Sequence, residues 1–253
     1  MGTSVGILLT AACLTTGAHK VVPGTNVSAT PPGQTVGYLY HAVPNGCGGT
    51  CTAVAPWVPR EGDLIFFDDR KTFWDFLYWI GGTAAPFHVG LVVKRPDGNM
   101  AVLEAGPDDT LHVHLLDVTP RMNEFLKDFP KGILQVRQCK ACLTPEQSKA
   151  LTDFAVRNEN KRYAWLRLLM QGTYVRKRGS WREEAYATTY LDRKTWLCCE
   201  IVVSGAHLVG LIDGKVIKSE VTYPLDIVND ARFDLSPNYA PAALWSPVPC
   251  PQR

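Results

Sequence analysis

The strongest constraint on the fold lies between residues 87 and 105. Phe87-His-Val-Gly-Leu-Val-Val93 and Met100-Ala-Val-Leu-Glu-Ala105 are apolar runs separated by the turn-forming Pro96-Asp-Gly-Asn99. Two such runs joined by so short a connection pair antiparallel, which commits this part of the chain to a sheet. Glu61-Gly-Asp-Leu-Ile-Phe-Phe67 reads as a strand entered from a turn, Leu111-His-Val-His-Leu115 alternates like a further strand, and Ile133-Leu-Gln-Val136 like another. The pattern then turns helical. Thr144-Pro-Glu-Gln147 supplies an N-cap, a proline at the first helical position and a glutamine in the capping-box place, predicting a helix to about Asn158. Lys161 to Gln171 is predicted as a second helix, followed by a basic loop containing Arg176, Lys177, Arg178 and Arg182. A third helix is expected between Thr195, as N-cap, and Gly210, as stop, because Ile201, Val202, Gly205, Leu208 and Val209 recur at helical spacing. Strands first and helices afterwards imply an α+β fold with a mostly antiparallel sheet.

The chain has 253 residues, 46% hydrophobic and 20% charged, which suits one globular domain with tails. A formal charge of +2 gives no reason to expect a nucleic-acid partner, and no run of eighteen apolar residues exists to span a membrane as a helix. Residues 1–18 hold the apolar stretch Val5 to Leu14, read as an export signal without a preceding Lys or Arg, or as a buried strand; Cys13 after Thr10-Ala-Ala loosely matches a lipoprotein box. Residues 19–60, rich in Gly, Pro, Thr and Ser, read as an irregular arm, with a glycosylation triplet at Asn26-Val-Ser28. Residues 61–235 are the expected main domain and 236–253 a proline-rich tail hugging the surface. Cys47 with Cys51 and Cys139 with Cys142 are two close pairs, fit either for one tetrahedral zinc or for disulfides in an exported protein. Together with the apolar N-terminal segment they favour export to a cell envelope over a cytoplasmic location.

Chemistry is expected around two thiols. Cys198 and Cys199 fall in the first turn of the third helix, where the macrodipole and unpaired backbone N–H groups favour a thiolate. A nucleophilic sulfur needs an imidazole within reach, and the imidazole needs a group to fix its tautomer. His88 opens a strand, and Glu104 is the one charged residue among apolar neighbours on the next. A strict two-residue turn at Asp97-Gly98 would pair Leu91 with Glu104 and point His88 and Glu104 to opposite faces, so their meeting requires an odd-length loop or a bulge. His112 and His114 lie two residues apart on a strand without a further ligand at useful spacing, and are read as solvent-facing. Phe73-Trp-Asp-Phe-Leu-Tyr-Trp-Ile80, with five aromatics in eight residues, is read as a core helix or lid, or as the wall of a groove.

Taken in order, Glu61–Phe67, Phe87–Val93, Val102–Ala105, Leu143–Gln147 and Leu197-Cys-Cys-Glu-Ile-Val202 resemble the motifs of the permuted papain-like cysteine hydrolases, the YiiX/YebB-like relatives of the NlpC/P60 cell-wall peptidases. The resemblance implies a permuted papain-like fold, a mostly antiparallel sheet or partial barrel packed against a helix that bears the nucleophile. It assigns Cys198 as nucleophile, His88 as general base and Glu104 as the residue orienting the histidine, with no cofactor and no metal. Cys199 stands where that family usually has serine, and an alignment to the related lecithin:retinol acyltransferase-like group selects Cys199 instead. Glu200 is assigned to the helix N-terminus or a neighbouring loop rather than to the chemistry. The expected reaction is amide hydrolysis in a peptidoglycan stem peptide through a thioacyl-enzyme. The alternatives are a lipid-directed acyltransferase or thioesterase, for which residues 73–80 and 176–182 would form a membrane-surface contact, and a catalytically silent exported binding module.

Overall fold

The computed structural model describes residues 29–44, 50–72, 79, 82–107, 110–170 and 185–249. The expected N-terminal segment 1–18, the glycosylation triplet, Cys47, the side chain of Cys51, most of the aromatic run 73–80 and the basic loop lie outside these residues.

Eight strands form one sheet: β1 (Tyr38–Pro44), β2 (Thr50–Pro56), β3 (Leu64–Asp68), β4 (His88–Lys94), β5 (Met100–Ala105), β6 (Val113–Asp117), β7 (Ile133–Arg137) and the late β10 (Ala243–Ser246). Their order is β2-β1-β10-β7-β3-β4-β5-β6, and every neighbouring pair is antiparallel. A separate two-stranded parallel pair joins β8 (Arg162–Tyr163) to β9 (Thr195–Trp196). The helices are α1 (Val118–Asp128), α2 (Pro145–Asn158), α3 (Trp165–Met170), α4 (Cys198–Leu208) and α5 (Pro224–Val228). The mixed α+β class and the mostly antiparallel sheet are therefore as the hydrophobic pattern predicts.

Because side chains alternate across a strand, the sheet buries both faces. Val89, Leu91 and Val93 of β4 join Leu103 and Ala105 of β5 in a core with Leu151 and Phe154 of α2 and Ile201, Val202 and Val203 of α4. The opposite parity, Val92, Met100 and Val102, packs with Val118, Met122 and Phe125 of α1 and with Leu39, Trp57 and Trp245. Asp63 stitches the entry of β3 to its surroundings, accepting from Trp57 Nε1 at 3.0 Å, Arg60 N at 3.1 Å and Cys139 N at 2.7 Å. Burial pushes its carboxyl up to about 6 against those hydrogen bonds.

Several local expectations differ from what is found. The arm at 19–60 contributes β1 and β2, and the tail at 236–253 contributes β10, an interior strand between β1 and β7. Lys161 to Gln171 is not one helix: Arg162 and Tyr163 pair with Thr195 and Trp196, and α3 begins only at Trp165. Thr195 is thus spent on a strand, and the residue capping α4 is Leu197. The strand expected over Leu111–Leu115 lies two residues later, leaving Leu111 half exposed. The helix α1 had no sequence signal assigned to it. The Thr144 box is present, with Gln147 N donating to Thr144 Oγ1 at 3.2 Å and Thr144 N to Gln147 Oε1 at 2.9 Å. Gly210 ends α4 at φ 77°, a backbone conformation that favours glycine.

Candidate active site

The site forms where the start of β4 meets the start of α4. Lys94 pairs with Met100 and Leu91 with Leu103, so Arg95–Asn99 is a five-residue loop rather than a two-residue turn. An odd loop shifts the register by one, bringing His88, Gly90 and Glu104 onto one face. His88 Nε2 lies 2.7 Å from Glu104 Oε2. Gly90 makes that approach available, since a Cβ there would stand 2.9 Å from Glu104 Cγ and closer still to Val102 Cγ1.

Glu104 is fully buried and held from its other side by Arg121 of α1. Arg121 Nε donates to Oε1 at 2.8 Å and Nη2 to Oε2 at 3.1 Å, a two-pronged grip that fixes the carboxylate plane. The guanidinium stacks over Phe67 at 4.6 Å, and the Phe67 ring packs on His88 with centroids 5.5 Å apart. Burial alone would raise Glu104; the Arg121 charge and the His88 hydrogen bond override it and hold the carboxyl down at about 2. Burial likewise opposes a charge on His88, but hydrogen bonds with Cys198 and Glu104, and the electrostatics of both, raise it to about 10. With Nε2 committed to Glu104, Nδ1 is the ring nitrogen left for the sulfur.

Cys198 is the first residue of α4, with Sγ 4.0 Å from the Phe87 carbonyl. Cys198 is 6% exposed and lines a small cleft with Phe87, Tyr163, Leu168 and Tyr223. The approach to it is fixed by Trp196, two residues earlier. The Trp196 indole donates to the buried Asn158 Oδ1 at 2.9 Å, and its carbonyl accepts from Ala164 N at 2.9 Å. Of the three residues chosen from separate stretches of sequence, His88 and Glu104 are in hydrogen-bond contact, and Cys198 lies beside the residue that precedes His88. Cys199 also lines the cleft, and it is Cys198 whose electrostatics raise His88.

Neither the family models nor the curated proteins contain a match to this chain. Among solved structures, the metalloprotein YiiX from Escherichia coli O157:H7 is similar at a TM-score of 0.41 and 19% identity, over 62% of this chain and 69% of the other. A likeness of that degree decides neither fold nor chemistry.

Glu200 does what its position in the first turn predicts. It accepts from Leu197 N at 2.9 Å, from Arg167 Nη2 at 2.6 Å and from Arg193 Nη1 at 3.0 Å, tying the head of α4 to its surroundings. Arg193 continues the chain of charges to Glu220 at 3.1 Å. Cys139 and Cys142 are both free, with Cys139 buried and Cys142 exposed; burial pushes the Cys139 thiol up to about 11. Among the described residues no group of three His, Cys, Asp or Glu is placed to hold a metal ion. The His112 and His114 rings lie 6.5 Å apart, with His112 exposed.

Arg121 is the site residue that sequence reading missed. Its signal was present: Val118, Arg121, Met122 and Phe125 recur at helical spacing and are all buried, so a lone cation occupies a place in an apolar stripe. A charge in such a place needs a buried partner.

Proposed function

We propose that the protein is a cysteine hydrolase that cleaves an amide through a thioacyl-enzyme, with Cys198 as nucleophile, His88 as general base and acid, and Glu104 as its orienting carboxylate. The single observation carrying this reading is the hydrogen-bonded series His88–Glu104–Arg121 with the Cys198 sulfur beside its open end, 4.0 Å from the carbonyl of Phe87. A permuted papain-like fold related to the NlpC/P60 peptidases, and a cell-wall stem peptide as substrate in an envelope location, belong to the same reading through the order of the motifs.

His88, which at neutral pH already holds the proton, pairs with the sulfur as it attacks the carbonyl carbon, and the C–O π electrons move onto oxygen. First-turn N–H groups of α4, that of Cys198 among them, stabilise this oxyanion in the proposed reaction. Collapse re-forms the carbonyl and breaks the C–N bond, His88 returning its proton to the leaving amine. Water then attacks the thioester, giving a proton to His88, and the thiolate leaves with release of the acid. Glu104 keeps the ring oriented and stabilises its charged form throughout, and Arg121 keeps Glu104 ionised.

Iodoacetamide near neutral pH followed by peptide mapping tests the assignment. The expected result is one fast site at Cys198, slowed by a factor of about 10²–10⁴ in His88→Ala and unchanged in Cys199→Ser. Turnover of a synthetic stem peptide should vanish in Cys198→Ala. Preferred labelling of Cys199, or indifference to His88→Ala, would sink the assignment.

A further inference from the structure

The helix α3 is built the wrong way round for a surface helix. Its sequence is Trp165-Leu-Arg-Leu-Leu-Met170, and none of its residues is buried. Trp165, Leu166, Leu169 and Met170 are 53%, 59%, 57% and 43% exposed. At 100° per residue these four positions cover one continuous face. The single charged residue points the other way: Arg167 Nη2 donates to Glu200 Oε2 at 2.6 Å and to the Thr195 carbonyl at 2.8 Å, and Nη1 donates to Thr195 Oγ1 at 3.1 Å. Leu168, also turned inward, lines the cleft beside Cys198. A six-residue helix cannot hold itself in water, so it is the Arg167 anchor, with the Leu168 N to Ala164 O bond at 3.1 Å, that keeps the apolar face outward.

The flanks of this face carry cations. Arg162, three residues before α3, and Lys194, next to its strand partner Thr195, are both exposed. Lys161, Arg167 and Arg193 nearby are paired with Asp192, Glu200 and Glu220, so the positive charge offered to solvent here is that of Arg162 and Lys194. Tryptophan and leucine side chains on one helix face, bordered by basic residues, match the acyl boundary and headgroup layer of a negatively charged membrane.

We infer that the outer face of α3 docks the protein on an anionic lipid bilayer, with Trp165, Leu166 and Leu169 entering the interface and Arg162 and Lys194 meeting headgroup phosphates. The inference stands apart from the hydrolase reading, because the face and the thiol are different features. It brings the bilayer to a helix whose inner side, through Leu168, lines the cleft.

Sedimentation of the full chain with vesicles tests it. Vesicles of 70% phosphatidylcholine and 30% phosphatidylglycerol should bind the protein, and phosphatidylcholine alone should bind it at least ten-fold more weakly. Binding should fall on raising salt and fall at least ten-fold in Leu166→Glu/Leu169→Glu, with circular dichroism and urea midpoint unchanged. Trp165→Phe should abolish quenching of tryptophan fluorescence by brominated lipid. Cys198→Ala should bind like the wild type, so loss of turnover and loss of docking are read separately. No binding to either vesicle, or binding indifferent to the double variant, overturns the inference. So does a dimer in light scattering that the double variant turns into a monomer, which would make the occupant a second copy. Strong amide protection of residues 165–170 in the lipid-free monomer would show the face already covered by its own chain, and overturns it too.

Discussion

Replacing Arg121 by methionine removes the guanidinium while keeping a side chain of similar reach between Phe67 and Phe125. Glu104, with no exposed surface, then keeps only His88 as a counter-charge. Breaking a buried ion pair from one side costs about 3–5 kcal/mol. The lowering of Glu104 from 4.5 to about 2, to which Arg121 and His88 both contribute against burial, corresponds to about 3 kcal/mol, the same order. Losing the stack on Phe67 adds about 0.5–2 kcal/mol. Against a total stability of about 5–15 kcal/mol, Arg121→Met should be strongly destabilised in urea titrations, while Arg121→Met/Glu104→Gln, with no stranded charge, should recover about 1–3 kcal/mol. Alkylation of Cys198 should be slow in both, because the histidine loses its anchor either way. A cost below about 1 kcal/mol for Arg121→Met, or a double variant no more stable than the single one, would refute the view that this arginine neutralises a buried carboxylate.

Gly90→Ala places a methyl where Glu104 Cγ runs, and Glu104 cannot swing aside because both its oxygens are held. It should cost about 1–3 kcal/mol in urea and slow Cys198 alkylation; a neutral effect on both would show the glycine to be incidental. The pair also sets a pH window. Glu104, lowered to about 2, contributes stability that is complete above 4.5 and lost as pH falls toward 2; His88, raised to about 10, contributes stability that is complete below 6.5 and lost as pH rises toward 10. Asp63, raised to about 6, works in the opposite sense to Glu104 between 3.8 and 6, so the acid limb is best read as wild type minus Glu104→Gln, a difference that should shrink below pH 4.5. A difference constant from pH 2 to 10 would contradict both assignments.

What could be read from the sequence follows from how local each signal is. His88, Glu104 and Cys198 stood out because each is a polar or reactive residue in an apolar run bounded by turn or cap chemistry, and the order of those runs was informative. The register between His88 and Glu104 was only a condition, because Asp97-Gly98 closes a two-residue turn as readily as it sits inside the five-residue Arg95–Asn99 loop; the Asn99 N to Asp97 Oδ1 bond at 2.9 Å and Gly98 at φ 88° belong to the longer form. β1, β2 and β10 were hidden by the prolines and glycines around them, since their pairing partners lie elsewhere in the chain and local propensity cannot register that. Thr195 has the chemistry of a cap, yet pairing with Arg162 claimed it first. Arg121 looked like any surface cation because the carboxylate that needs it is on another element.

The place of β10 has a further consequence for how the molecule is assembled. Backbone pairing between the β2-β1 hairpin and the β7-β3-β4-β5-β6 block runs through Ala243–Ser246, so a keystone made late in synthesis joins two early pieces. The block holding His88 and Glu104 can complete its own ladder beforehand, whereas the hairpin must wait about two hundred residues for its seat, a long-range closure that slows folding. A nascent chain thus carries its reactive corner nearly finished while its first hairpin is still unmoored.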